Sequence, residues 1–135
     1  MRLLVSVRNP AEAALAAHAG VHFIDLKEPA NGALGGLPLA TIAEVVSLLR
    51  LRAAGARISA TIGDWPADAW PEIQAQVCAV AACGVDYVKV GITPGPAALA
   101  LIDGLGTLQA GGIPLVPVFI ADEGVQPVLV ARALV

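Results

Sequence analysis

Leu3-Leu-Val-Ser-Val7, then Arg8-Asn9, then Pro10-Ala-Glu-Ala-Ala-Leu-Ala-Ala-His-Ala-Gly20 form one complete strand-and-helix unit at the start of the chain. The aliphatic run reads as a strand. Asn9 has an N-cap side chain, Pro10 suits the first helical position, and Gly20 is the stop. Moving outward, the same grammar repeats. A strand at His22–Lys27 leads through the Gly-rich loop Asn31-Gly-Ala-Leu-Gly-Gly36 to a helix from about Leu39 to Ala54, closed by Gly55. A third unit has its strand at Ile58–Ile62, a loop Gly63-Asp-Trp-Pro-Ala-Asp68 and a helix Trp70–Cys83 ended by Gly84. The fourth places a strand at Asp86–Val90, a loop Thr93-Pro-Gly-Pro96 and a helix Ala97–Ala110. The fifth strand is Leu115–Ile120, followed by Asp122-Glu-Gly124 and an apolar stretch, Pro127–Val135, that begins like a helix.

Strands at 3–7, 22–27, 58–62, 86–90 and 115–120 within a single domain, 1–135, predict a parallel sheet, and their nearly continuous apolar character predicts cover on both faces. Two α/β architectures fit. An open doubly wound sheet is complete at this length, whereas a (β/α)8 barrel of TIM type needs about 250 residues and would be cut after its fifth unit. The first turn, Val7-Arg-Asn-Pro10, carries no G-x-G-x-x-G, so nothing supports a dinucleotide site.

Composition narrows the function classes. The 135 residues are 57% hydrophobic and 14% charged, against roughly 25% charged in an average soluble domain. Disorder is excluded and extensive burial expected. A net charge of −3 and a pI near 5.2, without a basic run, argue against nucleic acid as a partner. Mean hydropathy is +0.76, but glycines and prolines break the longest uncharged stretch, Gly104 to Ala121, so no membrane span is expected. Leu3 to Val7 is too short for a secretory signal, which makes the cytoplasm the default location. Cys78 and Cys83 read as buried small hydrophobes, His18 and His22 as structural, and no metal or cofactor is implied. Trp65 and Trp70 are expected to anchor their loop against the rim. Arg50, Arg52 and Arg57 surround the end of the second helix, where cations favour the dipole without a ligand.

The only two lysines, Lys27 and Lys89, both fall near the C-terminal ends of predicted strands, where parallel α/β folds collect their active sites. By the two-residue period Phe23, Asp25 and Lys27 share one face of the second strand, with Ile24 and Leu26 turned toward a helix layer. Tyr87, Lys89 and Gly91 likewise share a face, opposite Val88, Val90 and Ile92. Inward charges are costly unless paired or wet, so both lysines are expected to line a polar pocket. Crowding and desolvation disfavour two ammonium groups together, and a neutral amine is a nucleophile. With Asp25 moving protons, that set suits Schiff-base chemistry on an aldehyde or ketone. The plainer reading is an Asp–Lys ion pair that stabilises the mouth of the sheet.

Taken in order, Leu3-Leu-Val-Ser-Val7, Phe23-Ile-Asp-Leu-Lys-Glu-Pro29, Gly32-Ala-Leu-Gly35, Ser59-Ala-Thr-Ile-Gly-Asp64 and Asp86-Tyr-Val-Lys-Val-Gly91 resemble the (5-formylfuran-3-yl)methyl phosphate synthase family of methanofuran biosynthesis. The resemblance implies a (β/α)8 barrel similar to class I aldolases. It implies a carbon–oxygen lyase that condenses two glyceraldehyde 3-phosphate molecules into a phosphorylated furan aldehyde, with loss of phosphate and water. It makes Lys27 the Schiff-base lysine, Asp25 its acid/base neighbour and Lys89 a second essential cation. Ala121-Asp122 matches the pair that ends the family's fifth strand. Asp64 on the same mouth is a candidate for a substrate hydroxyl, and otherwise a loop or cap aspartate. Gly32, Gly35 and Gly36 are candidates for phosphate contact through backbone amides, and otherwise a tight turn. Ser6 is a candidate for approach to the pocket, or an ordinary core serine.

The resemblance also implies three more strands than are present, so the chain is expected to be a fragment, poorly active or inactive alone, that associates with itself or with a missing C-terminal half. Two enzyme alternatives are weaker. A phosphate-binding decarboxylase barrel needs an aspartate where Ala30 stands, and a deoxyribose-phosphate-type aldolase shares the fourth strand but would not place a lysine beside Asp25. A non-catalytic half-barrel that binds a partner is the alternative from another class.

Overall fold

A computed structural model describes residues 1–52 and 55–135, and in it five parallel strands lie side by side in chain order. They are β1 (Leu4–Val7), β2 (Phe23–Leu26), β3 (Arg57–Thr61), β4 (Tyr87–Ile92) and β5 (Leu115–Phe119). Between and after them run α1 (Pro10–His18), α2 (Leu39–Arg52), α3 (Trp70–Ala82), α4 (Ala98–Ala110) and α5 (Pro127–Ala133). Short 3-10 turns at Pro29–Asn31 and Ala121–Glu123 follow β2 and β5. The expected last turn of the second helix, at residues 53 and 54, lies outside the described residues.

The order β1-β2-β3-β4-β5 has no reversal, which removes the doubly wound alternative, since that fold switches direction within the sheet. Neighbouring strands joined by right-handed crossovers put successive helices on the same side. α1 packs on α2, α2 on α3, α3 on α4 and α4 on α5. The result is a partial (β/α) barrel. The expected cover on both faces is complete only on the helix side; on the other face it is confined to the centre, where Asp25, Ser59 and Thr61 are buried. On the helix side Ile24, Leu26, Ile58, Ala60, Val88, Val90 and Ile92 are buried against Ile42, Val45, Leu49, Ile73, Val77 and Leu101. Each of the large aliphatic residues contributes about 1.5–3 kcal/mol by leaving water. On the other face Leu4 keeps 47% of its surface exposed, and Phe23, Tyr87, Val116 and Val118 are half-buried.

Local signals explain the element ends. The Asn9 side chain accepts from the Glu12 amide at 2.9 Å, and the Glu12 carboxylate accepts from the Arg8 amide at 2.8 Å. These bonds occupy two amide donors around the start of α1, where an uncapped helix leaves several unmet. Strands start or stop within two residues of the expected positions. His22 falls outside β2, exposed, its Nδ1 accepting from the Leu3 amide at 3.2 Å. Among the described residues no helix is long and apolar enough to cross a membrane.

Two expectations fail. Cys78 is exposed and Cys83 half-buried, because the core face of α3 is taken by Ile73, Val77 and Val80. A residue next to Val77 is turned about 100° away from that face. Arg50 and Arg57 also do more than meet a helix end: they bridge to Asp86 at 3.0 and 3.4 Å. Trp65 does anchor its loop, donating from Nε1 to the Ile62 carbonyl at 3.1 Å, while the Trp70 ring lies directly over Gly104 on α4.

Candidate active site

Register brings the polar residues of the open face into rows. Ser6 pairs with Asp25, Asp25 with Ser59 and Ser59 with Tyr87, and one row further along Thr61 pairs with Lys89. The two-residue alternation that points Ile24, Leu26, Ile58 and Ala60 into the helix layer thus gathers hydroxyls, a carboxylate and an amine opposite them.

Asp25 is the centre of that group. It is 1% exposed, and its Oδ2 meets the Lys89 Nζ at 3.0 Å. Its Oδ1 accepts from the Ser59 hydroxyl at 2.5 Å, and the Ser6 hydroxyl reaches Oδ2 at 3.4 Å. A buried carboxylate without partners would be strongly destabilising, so these donors are what permit it to lie there. Ser59 was not singled out from the sequence. The available signal was the alternation Arg57, Ser59, Thr61, which puts three polar side chains on one face of an otherwise apolar strand.

Lys27 follows β2 directly and is half-buried. Its Nζ donates to the Ala33 carbonyl at 3.0 Å rather than to Asp25. The loop carrying Ala33 is firmly fastened. The Gly35 carbonyl accepts from the Glu28 amide at 2.8 Å and from the buried Thr61 hydroxyl at 2.9 Å. Leu34, 5% exposed, packs so close to Gly91 that a Cβ there would come within 2.8 Å of it. Gly32, at φ +107°, lies against the Asp64 carboxylate with no room for a side chain. The Gly35 amide is turned back to the Gly32 carbonyl at 3.3 Å, so one of the amides considered for phosphate is used within the loop.

A cavity of about 480 Å³ opens among the loops that follow β2, β3, β4 and β5, but neither lysine nor Asp25 is among its lining residues, so the expected pocket lined by both amines is not what forms. Gly32, Leu34, Asp64, Trp65, Thr93 and Glu123 are among its walls. Ala33, which holds Lys27, and Gly91, two positions beyond Lys89, link it to the lysines. Asp64 is therefore at this cavity, while Asp122 is exposed and its neighbour Glu123 takes the wall position. A second hollow of about 400 Å³, bordered by Ile102, Leu105, Leu115 and Arg132, lies on the helix side and holds neither lysine.

Arg8, just past β1, is committed to Glu12 at 2.9 Å. The Glu12 carboxylate holds the guanidinium above its ordinary range, and Arg8 in turn draws Glu12 below the usual carboxylate range. Among the described residues no group of three or more His, Cys, Asp or Glu is placed to hold a metal ion.

A buried carboxylate touching one ammonium, with a second amine two residues further along the same chain segment, is equipped to move protons and to add nitrogen to a carbonyl. Comparison with known proteins identifies the family. The family profile described as 4-HFC-P synthase matches residues 3–134. The (5-formylfuran-3-yl)methyl phosphate synthase of Methanopyrus kandleri is 43% identical over 91 residues, which cover 67% of this chain and 37% of that protein. The protein of the same name from Archaeoglobus fulgidus is 40% identical over 92 residues, 68% of this chain and 38% of the relative. A protein of Methylorubrum extorquens provisionally given that name is 44% identical over 91 residues, 67% and 36% of the two chains. The matched stretch thus spans little more than a third of these relatives.

Proposed function

Because the chain belongs to the 4-HFC-P synthase family, we propose that it supplies the amine and acid/base part of a (5-formylfuran-3-yl)methyl phosphate synthase, acting on glyceraldehyde 3-phosphate in methanofuran biosynthesis. The observation that carries the reading is the Lys89–Asp25 contact of 3.0 Å in a buried setting, with Lys27 just past the end of the strand that carries Asp25. The Lys89 ammonium is matched to a carboxylate. Among the described residues Lys27 meets a neutral carbonyl oxygen and no carboxylate, which leaves it as the amine for attack.

In this reading the Lys27 nitrogen adds to the aldehyde carbon of the triose phosphate, forming a C–N bond. The carbonyl oxygen takes up protons and leaves as water, giving the imine. Asp25, acting with the Lys89 proton beside it, serves the departing oxygen and then removes a proton from the carbon next to the imine. The resulting enamine carbon forms the new carbon–carbon bond with a second triose phosphate aldehyde. Loss of phosphate and water then completes the furan, and water breaks the C–N bond of the imine to release the aldehyde and free Lys27. The imine step uses only residues described above, so it can be tested without full turnover. The protein is incubated with glyceraldehyde 3-phosphate and borohydride, and its intact mass is measured. A single reduced triose-phosphate adduct is expected, and no adduct at any triose phosphate concentration contradicts the reading.

A second reading rests on the open sheet face. β1 and β5 each pair with one strand only, and Leu4 is 47% exposed on the side away from the helices. That is a surface for a partner or a second copy in a non-catalytic role. Light scattering separates the two: a defined oligomer without adduct formation favours the second reading.

A further inference from the structure

The Asp25 carboxylate has three donors, and they are not equivalent. Ser6 and Ser59 flank Asp25 at the same register position on its two neighbouring strands, but Ser6 is exposed and the Lys89 side chain is 19% exposed, whereas Ser59 is 8% exposed. Ser6 and Lys89 share Oδ2, and among the described residues Ser59 is what binds Oδ1. The last torsion of an aspartate is broad, with no sharp intrinsic minimum, so the plane of the carboxylate is decided by what grips its oxygens. Holding Oδ1 from β3 determines where Oδ2 points, toward Lys89 and toward whatever is bound beyond it.

We propose that Ser59 is a positioning residue: its hydroxyl fixes the plane of the Asp25 carboxylate so that Oδ2 serves both Lys89 and the atoms that react at Lys27. This deepens the imine reading above and rests on it for its kinetic arm. A 1 Å misplacement of a reacting group can cost up to about a hundredfold in rate, so loss of the hydroxyl acts on the chemical step more than on binding.

The experiment compares borohydride trapping with glyceraldehyde 3-phosphate in the wild-type chain, Ser59→Ala, Ser59→Thr and Ser6→Ala. In Ser59→Ala the maximal trapping rate is expected to fall about tenfold or more, with the half-saturating triose phosphate concentration unchanged. Ser59→Thr keeps the hydroxyl and restores most of the rate, and Ser6→Ala, which removes the longer contact of 3.4 Å, loses less than Ser59→Ala. Ser59→Cys, similar in size but a weak donor, replaces the alanine variant with the same expected loss should that variant not fold. The proposal is overturned by an unchanged maximal rate, by a loss confined to half-saturation, by failure of threonine to restore, or by a larger loss in Ser6→Ala. If the wild-type chain forms no adduct, the imine reading fails by itself. Positioning is then decided by the carboxyl-carbon NMR resonance of Asp25 in the free protein. It should move further in Ser59→Ala than in Ser6→Ala, and a resonance unmoved in Ser59→Ala overturns the proposal.

Discussion

Two aspartates, Asp25 within β2 and Asp86 just before β4, are held by different donors, and the difference in how they are held separates an exchangeable partner from a permanent one. Asp86, at the N-terminal start of β4, accepts from the Ile58 amide at 2.7 Å and meets Arg50 and Arg57. Burial raises its carboxyl, but the amide and the two guanidinium groups outweigh that and hold it below the ordinary 3.8. Asp25, within β2, has a lysine and two serine hydroxyls instead. Arginine is a permanent charge with a fixed fork, suited to locking elements together, whereas lysine can exchange its proton and act as a nucleophile.

The contrast can be broken from either side. Lys89→Met leaves the buried Asp25 without its ammonium and is expected to cost about 3 kcal/mol in urea unfolding, the largest stability effect considered. A cost equal to that of an exposed pair would mean that Asp25 is not enclosed as described. Gly32→Ala, at φ +107° against Asp64, is expected to cost about 2 kcal/mol and to loosen the loop that holds Lys27. Faster proteolysis within residues 28–36 would report it.

Asp86→Asn is expected to cost about 1–2 kcal/mol, because the amide and guanidinium bonds lose their charged acceptor. It also carries a pH signature. A carboxyl held lower in the folded than in the unfolded state stabilises above its unfolded value and loses that contribution as pH falls through the folded one. Wild-type stability should therefore decline below about pH 4 more steeply than that of the asparagine variant, and parallel acid limbs would refute the assignment. Arg132→Ala removes an exposed pair with Asp103 between α5 and α4 and should leave the melting temperature unchanged.

Much of the architecture was legible before any coordinates. The helix-facing positions of β1 to β4 are aliphatic, the caps at Asn9 and Pro10 are strong, and five units follow one another without a linker. One-sided cover was harder to read, because half-buried Val116 and Val118 on β5 look in sequence like core residues. Asp25 and Lys89 were visible as charges on strands, where solvation cannot explain them. Ser59 was not, since a serine on an apolar strand reads as filler until register places it against a carboxylate. The partner of Lys27 could not be read at all: a backbone carbonyl, Ala33, leaves no trace in residue types.

The claim on which the account turns is that Lys27, and not Lys89, attacks the aldehyde while Lys89 stays paired with Asp25. Peptide mapping of the borohydride-reduced adduct formed with glyceraldehyde 3-phosphate tests it most directly. The account predicts the added mass on the peptide containing Lys27 and none on that containing Lys89. An adduct on Lys89 would contradict it and favour a deoxyribose-phosphate-type use of the fourth strand.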